Sequence, residues 1–338
     1  MGYVPGSSEI ALALLVVNMI CWGSWANPMK LTGNWRFEAF YWPYGLGMLF
    51  FSFIAAMTLG NMGDVDFFTA LQSADPIKMV YGVASGFIWN LGNILMVAAI
   101  VLAGFSMALP IGVGSSIVIG STLSYIVEPK GVPTLLFAGV GLISIAIISD
   151  AYAYIVRDRK IVSGAVGETK SGGIKASTKR GLIISMITGI LFGIFPMFFA
   201  LSYKQPNGLD AYGTAMFFQI GVFISTLIYM PIFMRKPLTG EKPIGFAEIK
   251  RGKPLWFLMG IFSAFIWVIG LTTNLISANK VGVAVAFVLA QCAAMVGACW
   301  GIFIWKDFKG APKRVWVLIV EMFVLFFIGI VYVALASQ

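Results

Sequence analysis

Ser85-Gly-Phe-Ile-Trp89-Asn-Leu-Gly92 is answered 178 residues later by Ser263-Ala-Phe-Ile-Trp267-Val-Ile-Gly270. Each octet lies inside an apolar run of about 20 residues, long enough as a helix to cross a hydrocarbon slab of roughly 30 Å. Ten such runs are read, near 10–29, 37–59, 78–102, 105–127, 133–156, 181–203, 211–234, 255–278, 281–304 and 315–336. They are continuously apolar and lack the alternating ten-residue signal of a lipid-facing strand, so they predict helices and not a β-barrel. The octets fall in the third and eighth runs. Five spans separate equivalent positions, and an odd number forces the second copy upside down in the membrane. The predicted fold is therefore an all-α integral membrane protein of ten transmembrane helices arranged as two inverted five-helix repeats, a device of secondary transporters.

Two further echoes keep the same order. Pro129-Lys-Gly131 is matched by Phe308-Lys-Gly310, and Trp22-Gly23 with Pro28 by Phe192-Gly193 with Pro196. The segment 157–180, rich in Gly, Ser, Lys and Arg, is the one long polar stretch and divides a first repeat, 1–156, from a second, 181–338.

Composition agrees with a membrane chain. Of 338 residues 59% are hydrophobic and 11% charged, where a soluble domain carries roughly 25% charged residues. The net charge of +9 does not point to nucleic acid, because the bases sit in short segments between apolar runs, with no basic stripe or zinc pattern. Lys and Arg number 2, 7, 6 and 4 after spans one, five, seven and nine, 19 of the 23 in the chain. The positive-inside rule makes that side cytoplasmic and puts both termini outside. The location expected is the cell membrane, the inner one where the source has two. The opening MGYVPGSSE has no basic n-region, so the first run is read as span one and not as a signal peptide. Cys21, Cys292 and Cys299 lie within apolar runs and read as small hydrophobes, neither a disulfide framework nor a metal site. With no histidine, no hydrolytic triad can be assembled, and no Walker or GxGxxG loop is present. Neither an enzyme nor an ATP-driven pump is indicated, and no cofactor is called for.

What the spans offer is amides and aromatics at helical spacing, suited to hydrogen-bonding and stacking on a neutral polar solute. Asn18, Trp22 and Trp25 share a stripe of span one. Trp89, Asn90 and Asn93 are grouped in span three, answered by Trp267, Thr273 and Asn274 in span eight, while Gln219 and Gln291 are deep amides of spans seven and nine. Each is open to two roles, solute contact or interhelical hydrogen bonding that fixes the bundle. Gly82 with Gly86, Gly189 with Gly193 and Gly297 with Gly301 are spaced for close helix packing. Pro110 and Pro196 are expected to interrupt spans four and six, and Pro28 to end span one, as static kinks or as bends used in gating. Acids within spans are functional candidates by default. Glu38, Glu321 and Asp150 are the coupling candidates, each with a base nearby in sequence or topology (Arg36, Arg314, Arg157). Glu38 ranks first because Tyr41, Trp42 and Tyr44 follow it into the bundle.

The segments Cys21-Trp-Gly-Ser-Trp-Ala-Asn-Pro28, the hairpin from Ala103 to Gly131, and Ala298-Cys-Trp-Gly-Ile-Phe-Ile-Trp-Lys-Asp-Phe-Lys-Gly310 resemble the drug/metabolite transporter superfamily, in its glucose-uptake, rhamnose and ureide-permease-like branch. The likeness covers essentially the whole chain. It implies that Glu128 and Asp307 close the two short-looped hairpins, and that the solute is a sugar or a purine-derived ureide moved in many members with protons. Small multidrug members carry a membrane-embedded Glu in their first helix. Span one here offers Asn18 instead, which disfavours export of cationic drugs. The expected function is secondary active or facilitative transport of a small neutral polar solute by alternating access, first a monosaccharide. A ureide, nucleobase or nucleoside permease is the alternative, and an amino-acid or metabolite exporter ranks below both. The partners expected are the solute, the lipid bilayer and protons as coupling ion, with the chain a monomer or a weak homodimer.

Overall fold

The computed structural model describes residues 2–165 and 176–337. Among these residues ten helices are long and apolar enough to cross a membrane: α1 Ser8–Lys30, α2 Phe37–Asn61, α3 Pro76–Ala103, α4 Met107–Val127, α5 Pro133–Arg157, α6 Ser177–Tyr203, α7 Ala211–Arg235, α8 Pro254–Val281, α9 Val283–Ile304 and α10 Lys313–Ala336. Local chemistry sets their ends. Ser7 Oγ accepts from the Ile10 amide at the start of α1, and Asp210 accepts from the Gly213 amide at 2.7 Å at the start of α7, each satisfying a donor that the first turn leaves open. Pro76, Pro133 and Pro254 occupy first-turn positions, where a missing N–H costs nothing. The polar stretch expected from 157 onward starts as helix, since α5 continues unbroken to Ala165. Of the expected linker, residues 166–175 lie outside the described residues.

The pairing of helices comes in matched sets. α3 lies against α6 and α7, while α8 lies against α1 and α2; α4 leans on α6, and α9 on α1. Moving each partner five helices along the chain turns one set into the other. α5 and α10 pair mainly with each other at the side of the bundle. The hairpins repeat as well: Gly104 (φ 84°, ψ 156°) joins α3 to α4, and Gly282 (φ 87°, ψ 153°) joins α8 to α9, a left-sided conformation that side chains rarely adopt. The pattern is compatible with two inverted repeats.

Small residues bring backbones together where the sets cross. A Cβ on Gly86 would strike the Phe218 carbonyl, and one on Gly221 the Val83 carbonyl, so α3 and α7 meet backbone to backbone. At the matching crossing of α8 with α2, a Cβ on Gly47 would lie 2.8 Å from that of Ala264. The prolines behave differently from one another. Pro110 opens a π-turn, Pro110–Gly114, within α4, and Pro28 sits in the last short turn Asn27–Lys30 of α1. Pro196, expected to interrupt its span, lies inside a continuous α6; one absent hydrogen bond is tolerated where neighbouring helices hold the flanking turns.

Candidate functional site in the aromatic core

The octet that repeats in α3 and α8 provides the seats on which the two halves meet. A Cβ on Gly270 would strike Cδ1 of Trp22, and one on Gly92 would fall 2.8 Å from the Phe192 ring. Each octet's last glycine thus receives the aromatic that opens the echoed pair in the other half. The following glycines repeat the relation, since a Cβ on Gly23 would strike Val296 of α9 and one on Gly193 would strike Ile119 of α4.

On the α1–α8 seat the predicted side chains do come together. Trp22 stacks on Trp267 at 5.4 Å and 19°, and its indole N–H donates to the Trp267 carbonyl at 3.1 Å. Asn18 Nδ2 donates to the Gly270 carbonyl at 2.8 Å, leaving its buried Oδ1 without a partner. Trp89 reaches Trp267 at 4.7 Å, and Phe218 lies parallel to the same indole at 5.8 Å and 8°. Trp25 is set apart, stacked on Tyr44 at 5.0 Å.

The amides separate by how fully the protein uses them. Asn90 is saturated: its Oδ1 accepts from the Tyr41 hydroxyl at 2.5 Å, and its Nδ2 donates to the Val222 carbonyl, Ser225 and Thr226 at 2.8–3.1 Å. Asn93 donates to Tyr41 at 3.1 Å, so one network clamps α2, α3 and α7. Asn274 donates to the Ala286 carbonyl at 3.0 Å within the α8–α9 hairpin. Gln219 differs from these. It is fully buried beside Phe218, yet neither its Oε1 nor its Nε2 has a partner. Gln291, half-buried, stands where α9 breaks between Val283–Gln291 and Ala293–Cys299. In sequence Tyr41 stands out only as a follower of Glu38. Phe218, Ser225 and Thr226 give no signal there, because an apolar run does not show which residue faces which neighbour.

Cavities lie toward both faces of this core. One of about 410 Å³, on the side of the basic loops, is lined by Trp35, Arg36, Glu38, Glu241 and, along α3, Ile94 to Val101. The lining follows eight residues of α3, about 10 Å of helix, beginning at Ile94, the residue after Asn93. Glu38 stands at its mouth, one helical turn before Tyr41. Arg36 binds Glu38 at 2.6 Å and Glu241 at 3.0 Å, and donates to the Lys242 carbonyl at 3.2 Å. The hydrogen bond to Glu38 holds the Arg36 guanidinium above its ordinary pKa. The other cavity opens on the opposite face, between the ends of α4, α6 and α8 and the start of α7. The remaining acids lie elsewhere. Asp150, with a buried Oδ1 that has no partner, and Glu321, which accepts from Ser149 at 3.5 Å, belong to the lateral pair α5 and α10. Arg314 donates to the Tyr152 hydroxyl and Arg157 to the Asp307 carbonyl.

The model of a family described as sugar transport protein matches residues 12–336. Among curated relatives, ureide permease 1 and ureide permease 4 of Arabidopsis thaliana are each 24% identical, with 99% of this chain and 99% of theirs covered. The L-rhamnose-proton symporter of Pectobacterium atrosepticum is 27% identical over 53% of this chain and 50% of its own.

Proposed function

The chain belongs to the sugar transport protein family, and from that premise we propose that it carries a monosaccharide or a similar small neutral solute across a membrane by alternating access. The observation that carries this reading is the core itself: three indoles packed with Phe218, whose chain neighbour Gln219 is a buried amide without a partner, between cavities that open toward opposite faces. Ring faces suit the C–H surface of a sugar, and a carboxamide both donates to and accepts from its hydroxyls. Separation of Trp22 from Trp267 would make room for the solute, and the doubled helix pairing is the pattern by which two inverted halves exchange shapes in alternating access. Of the sequence candidates, Gln219, Trp22, Trp89 and Trp267 are assigned to solute contact, while Asn90 and Asn274 are assigned to holding the bundle.

We assign proton coupling to Glu38, at the mouth of the basic-side cavity and one turn from the Tyr41 network. The lateral Asp150 and Glu321 are set aside. The membrane is the cell membrane, with the basic loops in the cytoplasm and both termini outside. The test is uptake of labelled D-glucose and L-rhamnose by proteoliposomes of the purified chain, with and without an imposed pH gradient. Saturable uptake driven by the gradient is expected, and Glu38→Gln should abolish the drive while sparing sugar exchange. Absence of saturable uptake of either sugar would sink the reading. Parallel stacking of Trp22 on Trp267 also favours a planar solute, the ureide alternative. Competition by allantoin that exceeds competition by sugars would establish that alternative.

A further inference from the structure

The cavity on the face opposite the basic loops has a volume of about 490 Å³ and is lined by Glu128, Lys130, Tyr203, Lys204, Asp210 and Asn279, among others. Three of these side chains present a buried oxygen with no protein partner among the described residues: Glu128 Oε2, Asp210 Oδ2 and the Tyr203 hydroxyl. Tyr203 is only 8% exposed, so an unpartnered hydroxyl there carries a desolvation cost that something in the cavity must offset. One of the two carboxylates already has its cation. Glu128 Oε1 binds Lys130 at 3.0 Å, while Asp210 caps α7 through the Gly213 amide, and Lys204 lines the same cavity. What stays unmatched on the described wall is acceptor capacity, at Glu128 Oε2, Asp210 Oδ2 and the Tyr203 hydroxyl. Val127 and Leu209 supply apolar wall between the polar groups.

We propose that this cavity is a capture site for a polyhydroxylated ring, in which Glu128, Asp210 and Tyr203 take solute hydroxyls on the face opposite the basic loops, before the solute reaches the aromatic core. Two carboxylate oxygens and a phenol accept from hydroxyl donors, and the apolar wall meets the ring's C–H surface. The internal repeat supports the placement. Asn279, on the wall of this cavity, stands 178 residues after Val101, on the wall of the cavity at the other face, so both cavities open at the same point of the repeated unit.

The proposal rests on the sugar reading and is tested so that the two can fail separately. The full chain in lipid nanodiscs is titrated with D-glucose and L-rhamnose. Tryptophan fluorescence reports the core, and amine-reactive labelling of Lys204, followed by peptide mass spectrometry, reports the cavity. Lys250, exposed on the basic face, is the control. Sugar is expected to slow labelling of Lys204 and not of Lys250. Tyr203→Phe and Asp210→Asn, the latter retaining a capping residue, should each raise the sugar concentration needed about tenfold, the loss of one well-made hydrogen bond to a charged or buried partner, with the fluorescence midpoint unchanged. A fluorescence response without protection of Lys204 in the unaltered chain would overturn the capture site and leave the sugar reading standing. Protection that neither substitution weakens would overturn the capture site in the same way. No response of either kind to either sugar overturns both.

Discussion

At the scale of the residue, whether an amide is already hydrogen-bonded separates two roles that look alike in sequence. Asn90 spends both its oxygen and its nitrogen on protein partners in neighbouring helices. Asn90→Ala would leave the Tyr41 hydroxyl proton without its acceptor in a dry core and unlink α3 from α7, and is expected to cost about 1–3 kcal/mol of stability, read as a lower midpoint of thermal unfolding with solute absent. Gln219 has no partner to lose. Gln219→Leu, of similar bulk, is expected to leave the empty protein as stable or slightly more so, because an unpaired buried amide is unfavourable, and to remove solute binding. Unchanged binding in that variant would return Gln219 to packing. Both residues are amides in apolar runs, and the sequence offers no way to tell them apart; the difference lies wholly in neighbours contributed by distant helices. The Trp22, Trp89 and Trp267 cluster was legible, because helical spacing and the repeated octet already align those rings.

At the scale of the element, a charged cross-link ties one helix start to a distant loop. Arg36 joins the start of α2 to the α7–α8 loop through Glu241 and the Lys242 carbonyl, across the mouth of the basic-side cavity. Glu241→Gln is expected to let α2 swing outward, so that a cysteine placed at Ala98 on the cavity wall reacts faster with a water-soluble maleimide; an unchanged rate would make the pair a surface ion pair of little consequence. That cross-link was invisible beforehand, since sequence suggested Arg36 for Glu38 but gave no reason to bring residue 241 to the same spot. At the other face, burial holds the Asp210 carboxyl above its ordinary range, against the opposing effect of the Gly213 amide. A folded-state pKa raised above the unfolded value means stability that is complete below the unfolded pKa and lost as pH rises through the folded one. Thermal midpoints should therefore fall as pH climbs just past the carboxylate range, and Asp210→Asn should flatten that slope. A slope that survives the substitution would assign it to another acid.

At the scale of the whole molecule, the ten spans and their order were readable from hydropathy, because lipid leaves a segment of this length few alternatives to a helix, and the matched helix pairing is compatible with the doubling that three echoes suggested. A reporter fused after Gln338 should be active only on the outer side if the basic loops are cytoplasmic, and activity in the cytoplasm would reverse the assignment. What could not be read was that the echoes touch one another, each octet's final glycine cradling the aromatic of the opposite half. The consequence is mechanical. Two cradles that hold the same kind of ring form a balance with two pans, and here the pans are loaded unequally, with Trp22 in one and Phe192 in the other. Both pans are occupied, but Trp22 adds a hydrogen bond to the Trp267 carbonyl that a phenyl ring cannot make, so the α1–α8 cradle is the more firmly held. Exchanging the loads, Trp22→Phe together with Phe192→Trp, should tip the resting posture toward the other face. The tilt would be read as faster maleimide labelling at one mouth and slower at the other, while equal rates before and after would show that the beam takes its set from elsewhere.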